Sequence, residues 1–241
     1  MSQDLYRSGE YARLNPSYHV EDSAWKAHYI VQMLEQHKLT PRSICEIGCG
    51  AGEILKQLQS RLPEDAFFCG YEISPQGYAL CQPRANERLR FFNEDLLQLT
   101  NLDTFDVVLC IDVFEHVEDY LGFLKRLRGY GRYTLFHIPL DLSVQSLLRV
   151  HPILFARSQV GHLHYFTKEI ALSSLHDCGY EIIGYFYTPV GLETRHTTSA
   201  RLAKLPRYAL SSLSADWAAR LLGGYSLMVL AHNGQDVASA G

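Results

Sequence analysis

The 241-residue chain contains no apolar run of 18 residues, so no membrane-spanning helix and no membrane partner are expected. Its opening, Met1-Ser2-Gln3-Asp4-Leu5-Tyr6, lacks a basic flank followed by an apolar core, and no secretory leader is expected. Positive charge is not in surplus. With 22 Lys plus Arg against 26 Asp plus Glu the net charge is −4, which gives no electrostatic footprint for nucleic acid. A local cluster at Arg201, Lys204 and Arg207 is the exception to that balance. No C-x-x-C pair occurs among the six cysteines, and Cys45, Cys69 and Cys110 sit in apolar strand-like runs. That pattern argues against a zinc or disulfide framework and fits buried thiols in a reduced cytoplasm. Repeats and low-complexity tracts are absent. What remains is 47% hydrophobic and 20% charged, enough apolar residue for one α/β domain over 1–241 with insertions.

The stretch Ser43-Ile44-Cys45-Glu46-Ile47-Gly48-Cys49-Gly50-Ala51-Gly52 organises the rest. A β-branched apolar run ends in an acid, three glycines follow at alternate positions, and a helical pattern begins. Glycine suits such a turn because it tolerates positive φ and lets a ligand approach the backbone. A dinucleotide turn would read G-x-G-x-x-G, whereas here the third glycine falls one residue early. Glu46 would also repel a pyrophosphate arriving at the helix N-terminus, where an anion is normally favoured. The same carboxylate suits a cofactor bearing a positive charge and an ammonium group. Glu46 with Gly48, Gly50 and Gly52 resembles motif I of the class I S-adenosylmethionine-dependent methyltransferases, and Cys49 falls within that turn.

Strand patterns at Ser43–Ile47, Phe67–Glu72, Leu89–Asn93, Phe105–Ile111 and Arg132–Ile138 alternate with helical ones at Gly52–Arg61, Pro75–Cys81 and Glu115–Leu127. Such spacing implies parallel βαβ units with right-handed crossovers. Upstream, Asp22 or Ser23 is positioned to cap a helix to about His37, and residues 1–40 read as a helical lid with Tyr18 and Trp25 toward the cofactor. Residues 140–166 form a His-rich connection too long for an ordinary loop, and 188–224 a second insertion with a helix around Leu213–Leu222. A helix from Thr167 to near Gly179 and strands at Tyr180–Tyr187 and Tyr225–His232 complete the pattern. The family resemblance implies a Rossmann-like, doubly wound seven-stranded sheet, mostly parallel. Its last strand enters antiparallel beside the fifth, within three α/β/α layers.

Acids recur at strand ends. Glu72 lies 20 positions after Gly52, where a carboxylate in doubly wound folds accepts from ribose hydroxyls. Tyr71-Glu72-Ile73-Ser74 resembles motif II, which implies Ile73 against adenine; Asp95 and Leu96 match the family's adenine position, with Glu94 as a substitute for Asp95. A plain helix cap is the alternative for Asp95. Asp112-Val113-Phe114-Glu115-His116-Val117 resembles motif IV of the ubiquinone/menaquinone-biosynthesis type, which implies Asp112 beside the methionine part. On a helix Asp112, Glu115 and His116 would share one face. Some relatives bind a divalent ion with a similar set; no further ligand is identifiable here, and no metal is expected. Four histidines are candidate bases for the acceptor: His116, His137, His162 and His164. The segment holding His162 and His164 resembles a substrate-side segment of the same enzymes, and if extended it points both rings to one side.

These expectations add up to a cytoplasmic methyltransferase acting on a small-molecule acceptor. The acceptor expected is a hydroxyl of a sugar or secondary metabolite, the cofactor is S-adenosyl-L-methionine, and a homo-oligomer is compatible with all of this. Two rivals stand beside it, a nicotinamide-dependent oxidoreductase and an inactive cofactor-binding interaction subunit. RNA methylation is disfavoured by the charge balance.

Overall fold

A computed structural model describes residues 2–100, 102–190 and 209–234. The strands are β1 (Ser43–Ile47), β2 (Phe67–Tyr71), β3 (Leu89–Phe92), β4 (Phe105–Ile111), β5 (Gly131–Pro139), β6 (Glu181–Thr188) and β7 (Ser226–His232). They form one sheet in the order β3-β2-β1-β4-β5-β7-β6. The first five run parallel, while β7 lies antiparallel between β5 and β6, as the family resemblance implied. Strand order reverses between β1 and β4, so their carboxyl ends open the crevice where doubly wound sheets bind ligands.

Described helices are α1 (Ser2–Arg7), α2 (Glu10–Leu14), α3 (Val20–Gln36), α4 (Glu53–Gln59), α5 (Pro75–Cys81), α6 (Tyr120–Leu127), α7 (Val144–Arg149), α8 (His151–Phe155), α9 (Lys168–Asp177) and α10 (Ala215–Leu222). Alternate residues of β4 divide the core into two layers. Val107, Leu109 and Ile111 pack with Ile30 and Met33 of α3 and Leu55 and Leu58 of α4. Val108 and Cys110 pack with Phe123 and Leu127 of α6, Leu175 of α9 and Ala218 of α10. A strand covered on both faces has no polar side to show, which explains the unbroken apolar run of β4.

Local chemistry shifts several boundaries. α3 starts at Val20 rather than after Asp22, and its N-cap His19 contributes no side-chain hydrogen bond. The continuous helix expected from Glu115 is interrupted, with Phe114–His116 making a single 3-10 turn before α6. Asp119 causes the break: its side chain accepts from Gly122 N at 2.9 Å and starts a new helix. The connection at 140–166 carries α7, opened by a reciprocal Ser143–Ser146 capping box, then α8 and a π turn at Ala156–Val160. α10 is tied down electrostatically. Asp216 accepts from Tyr187 Oη at 2.6 Å, from Arg220 Nε at 2.7 Å and from Lys168. The basic cluster at Arg201, Lys204 and Arg207 and the span 191–208 lie outside the described residues.

Gly52 ends the organising turn at φ 74°, and a Cβ there would sit 2.5 Å from the Phe91 ring. Gly52→Ala is expected to lose about 2–4 kcal/mol, from left-handed strain and overpacking. Urea unfolding measures it, and an unchanged midpoint would refute the close packing.

Candidate active site

One cavity of about 740 Å³ lies over the carboxyl ends of the parallel strands. Its floor is the turn after β1. Gly48 and Cys49 both donate their backbone N–H to Tyr71 O, at 2.8 and 3.1 Å, which docks the turn on the end of β2. Glu72 then accepts from Gly50 N at 2.8 Å and Ser74 N at 2.7 Å, so the acid expected at the ribose also shapes the glycine turn. Burial pushes its carboxyl above the usual range against these bonds. Glu46, at the end of β1, is 1% exposed and its Oε2 has no partner. Burial raises its carboxyl pKa well above the ordinary value, although nearby Lys26 opposes the shift. An orphaned buried carboxyl oxygen on a cavity wall fits an incoming ammonium group.

Asp112 is the most constrained residue here. It sits at φ 53° just past β4, and its backbone N–H donates to His137 O at 3.0 Å. Its carboxylate takes Lys26 Nζ at 2.7 Å and His137 Nδ1 at 2.6 Å. Burial works against this charge, but His137 and Lys26 outweigh it and hold the carboxyl far below the usual range. Burial likewise disfavours the Lys26 ammonium, and Asp112 more than restores it. His137 Nε2 pairs with Thr188 Oγ1 at 2.9 Å, so both its ring nitrogens are engaged.

A second cluster stands beside the first. His162 Nδ1 lies 2.6 Å from Asp141 Oδ2. A carboxylate can only accept, so Nδ1 carries the proton and Nε2 remains the basic nitrogen. Burial opposes the charged ring, but Asp141 and Glu115 raise its pKa overall. The His116 ring packs edge-on at 4.9 Å, and burial with the neighbouring His162 pushes its pKa down to about 3. Glu115 is 0% exposed and neither carboxyl oxygen has a hydrogen-bond partner, His116 Nε2 standing 3.8 Å away; burial, then the Asp112 charge, pushes it up to about 8. Ligand atoms of Glu115, His116 and His162 all lie within 4.8 Å of one another, a donor set suited to a divalent ion.

Glu46, Gly48, Cys49, Gly50, Glu72, Ile73, Asp95 and Asp112 all line the cavity, as do His116, His137 and His162. Three expected residues do not. Gly52 lies beneath, against Phe91, and Leu96 is fully buried while its neighbour Leu97 takes the wall. His164 turns away: its Nε2 bonds Val117 O at 2.9 Å and its ring packs on Tyr120. Its segment is irregular rather than extended, so the strand rule that would have aligned the two rings does not apply. Asp95, on the cavity wall, also caps its own turn as the helix-cap alternative expected, accepting from Leu97 N at 3.0 Å. The one-face grouping of Asp112 with Glu115 and His116 is absent, because a 3-10 turn replaces the helix and His162 joins instead.

Sequence reasoning missed Lys26 and Asp141. A lysine on a helix is ordinarily solvated, and nothing local marks Lys26 as the partner of Asp112. Asp141 follows β5 as the other acids follow their strands, so the same rule could have found it.

Acids at successive strand ends around a glycine turn define a nucleoside-cofactor site in an α/β fold. Residues 22–184 match the family model described as "Methyltransferase domain". The mitochondrial ubiquinone biosynthesis O-methyltransferase of Schizosaccharomyces pombe is 31% identical over 122 residues, 47% of this chain and 44% of that protein. A tRNA U34 carboxymethyltransferase of Sulfurimonas denitrificans is 30% identical over 115 residues, 44% of this chain and 37% of that one. The matches thus span less than half of these curated relatives. The magnesium protoporphyrin IX methyltransferase of Synechocystis PCC 6803, solved with bound S-adenosylmethionine, superimposes with a TM-score of 0.60. That match has 18% identity and covers 95% of this chain and 94% of that one, a likeness of fold. The chain belongs to the methyltransferase-domain family, and S-adenosylmethionine is the cofactor that goes with it.

Glu115 ties stability to pH. An unfolded glutamate ionises near pH 4.3. Stabilisation of the neutral form is therefore complete below about that pH and is lost as pH rises through about 8. In metal-free protein, Glu115→Gln is expected to flatten this fall, gaining on the order of 3 kcal/mol over the parent at about pH 9. Parallel pH profiles in urea titrations would contradict it.

Proposed function

We propose that the protein transfers a methyl group from S-adenosylmethionine to a hydroxyl of a small-molecule acceptor, with His162 as the base. The observation that carries the reading is the Asp141–His162 pair on the cavity wall. When bound, the cofactor supplies a methyl group activated by its sulfonium. Everything else falls to this chain: Glu46 holds the cofactor's ammonium, Lys26 its carboxylate, and Glu72 its ribose hydroxyls. Asp95 and Leu97 bracket the adenine, with Ile73 beside it. Asp112, gripped by Lys26 and His137, faces the methionine part.

His162 takes the acceptor proton at Nε2 while Asp141 keeps the ring in the tautomer that can do so. His137 is excluded as the base by its two engaged nitrogens, and His116 by a pKa of about 3, too low to hold a proton near neutrality. A histidine base suits an acidic hydroxyl such as a phenol, with a pKa near 10, better than a sugar alcohol. The Tyr6 and Tyr11 rings on the wall, 4.6 Å apart, suit a flat ring in the same way. The first two helices and the start of α3 serve as a lid, and the segment at 140–166 with Val190 and Leu222–Gly224 of the second insertion frames the acceptor side.

A second reading is favoured by the Glu115 carboxyl, which has no hydrogen-bond partner. Here Glu115, His116 and His162 would hold a divalent ion, which would supply Lewis-acid polarisation of the acceptor hydroxyl. Chelation separates the two readings, since only the second loses turnover to a chelator with recovery on added magnesium or zinc.

His162→Asn is expected to lower kcat about 10²–10⁴-fold with cofactor affinity little changed. The parent's kcat should rise with pH through a midpoint above about 6.5. Release of S-adenosylhomocysteine across phenols, sugars and amines reads both, and full turnover by the variant removes His162 from the chemistry. Separately, Lys26→Met is expected to weaken S-adenosylhomocysteine binding at least about tenfold. Calorimetric titration measures this, and equal affinity would exclude Lys26 from the cofactor's carboxylate.

A further inference from the structure

The connection after β5 exposes an amount of apolar surface that the fold does not use. On α7 and the turn after it, Val144, Leu147, Leu148 and Val150 are 48%, 58%, 81% and 50% exposed. On α8, Leu154 and Phe155 are 57% and 51% exposed. Scattered exposed leucines need no explanation, but six large apolar side chains within twelve residues form a patch. α10, which packs on α7, adds Trp217 at 58% exposure. The backbone there is strained as well. Val150 is β-branched yet sits at φ 56° between the two helices, a conformation that L residues of this shape rarely hold. Among the described residues, neither the strain nor the exposure is repaid by burial.

The charge of the segment points to what meets it. From Leu142 to Lys168 there is no Asp or Glu, while Arg149 and Arg157 are exposed and His151 is exposed between them. In a chain of net charge −4 this is a local reversal of sign. Short helices with an apolar face and basic flanks lie in the plane of a lipid–water interface, and an indole is favoured at that depth. We propose that α7 and α8 form a docking surface for an anionic lipid membrane. The chain rests on the bilayer and does not cross it, since no described helix is long and apolar enough to do so. This departs from the expectation of no membrane partner, which followed from the lack of spanning runs. Arg149 and Phe155 also line the cavity, so the docked face adjoins the entrance to the active site. The inference rests on exposure and charge and stands whether or not the hydroxyl reading of the acceptor is correct.

Sedimentation of the full chain with phosphatidylcholine vesicles, with and without about 30% phosphatidylglycerol, tests it. The parent is expected to sediment with the anionic vesicles alone, and less so as salt is raised. The triple variant Leu147→Ser, Leu148→Ser, Leu154→Ser should bind them at least about tenfold more weakly, while retaining S-adenosylhomocysteine affinity as the check on folding. Arg157→Glu should also weaken binding, and it decides the matter if the triple variant misfolds. Failure of the parent to sediment with anionic vesicles overturns the proposal. So does vesicle binding by the folded variants equal to the parent's. A parent dimer in light scattering that the triple variant splits, with no vesicle binding, would assign the face to a second copy of the chain.

Discussion

The grip of Lys26 and His137 on Asp112 holds the parts of this site in one arrangement. Asp112 follows β4, His137 belongs to β5 and Lys26 to α3, so a single carboxylate joins the sheet to that helix. Removing Lys26 would leave a largely shielded carboxylate without its cationic partner, which is more costly than the net gain of forming the pair. Asp112 is also left-handed, a conformation tolerated by aspartate when surrounding structure over-determines it. Thr188 extends the chain of contacts to the end of β6, where the second insertion begins.

Around that fixed point the titratable groups divide into two sets. Glu46, Glu72 and Asp112 lie around the glycine turn: backbone N–H groups hold Glu72, Lys26 and His137 hold Asp112, and Glu46 keeps an oxygen without a hydrogen bond. The second set keeps opposite protonation habits side by side: a histidine lowered by burial, another raised by its aspartate, and a carboxyl that burial keeps neutral. Groups whose surroundings drive their pKa values apart are the usual mark of a site that handles protons.

Most of the architecture was legible in the sequence. β1 and β4 follow their apolar patterns to the residue, because central strands covered on both faces leave little choice of composition. The glycine turn and the strand-end acids were legible for the same reason, being local. Elsewhere, contacts between distant residues decided the outcome. Asp119 competes with the helix expected from Glu115, and irregular backbone sends His164 away from the cavity while His162 stays. Lys26 is largely shielded from solvent because Asp112 receives it at the end of β4. None of these outcomes can be read from spacing, since each depends on which distant group happens to lie opposite.

Glu46 carries one more consequence. Burial pushes its carboxyl well above the ordinary value, and Lys26 compensates only in part. In its proposed role it meets an ammonium group, which favours the carboxylate and draws the pKa back down as the ligand settles. Cofactor uptake at this turn is then an acid–base event as well as a recognition event. Its heat would carry the ionisation enthalpy of whichever buffer accepts the proton, and its affinity would climb as the medium becomes more alkaline.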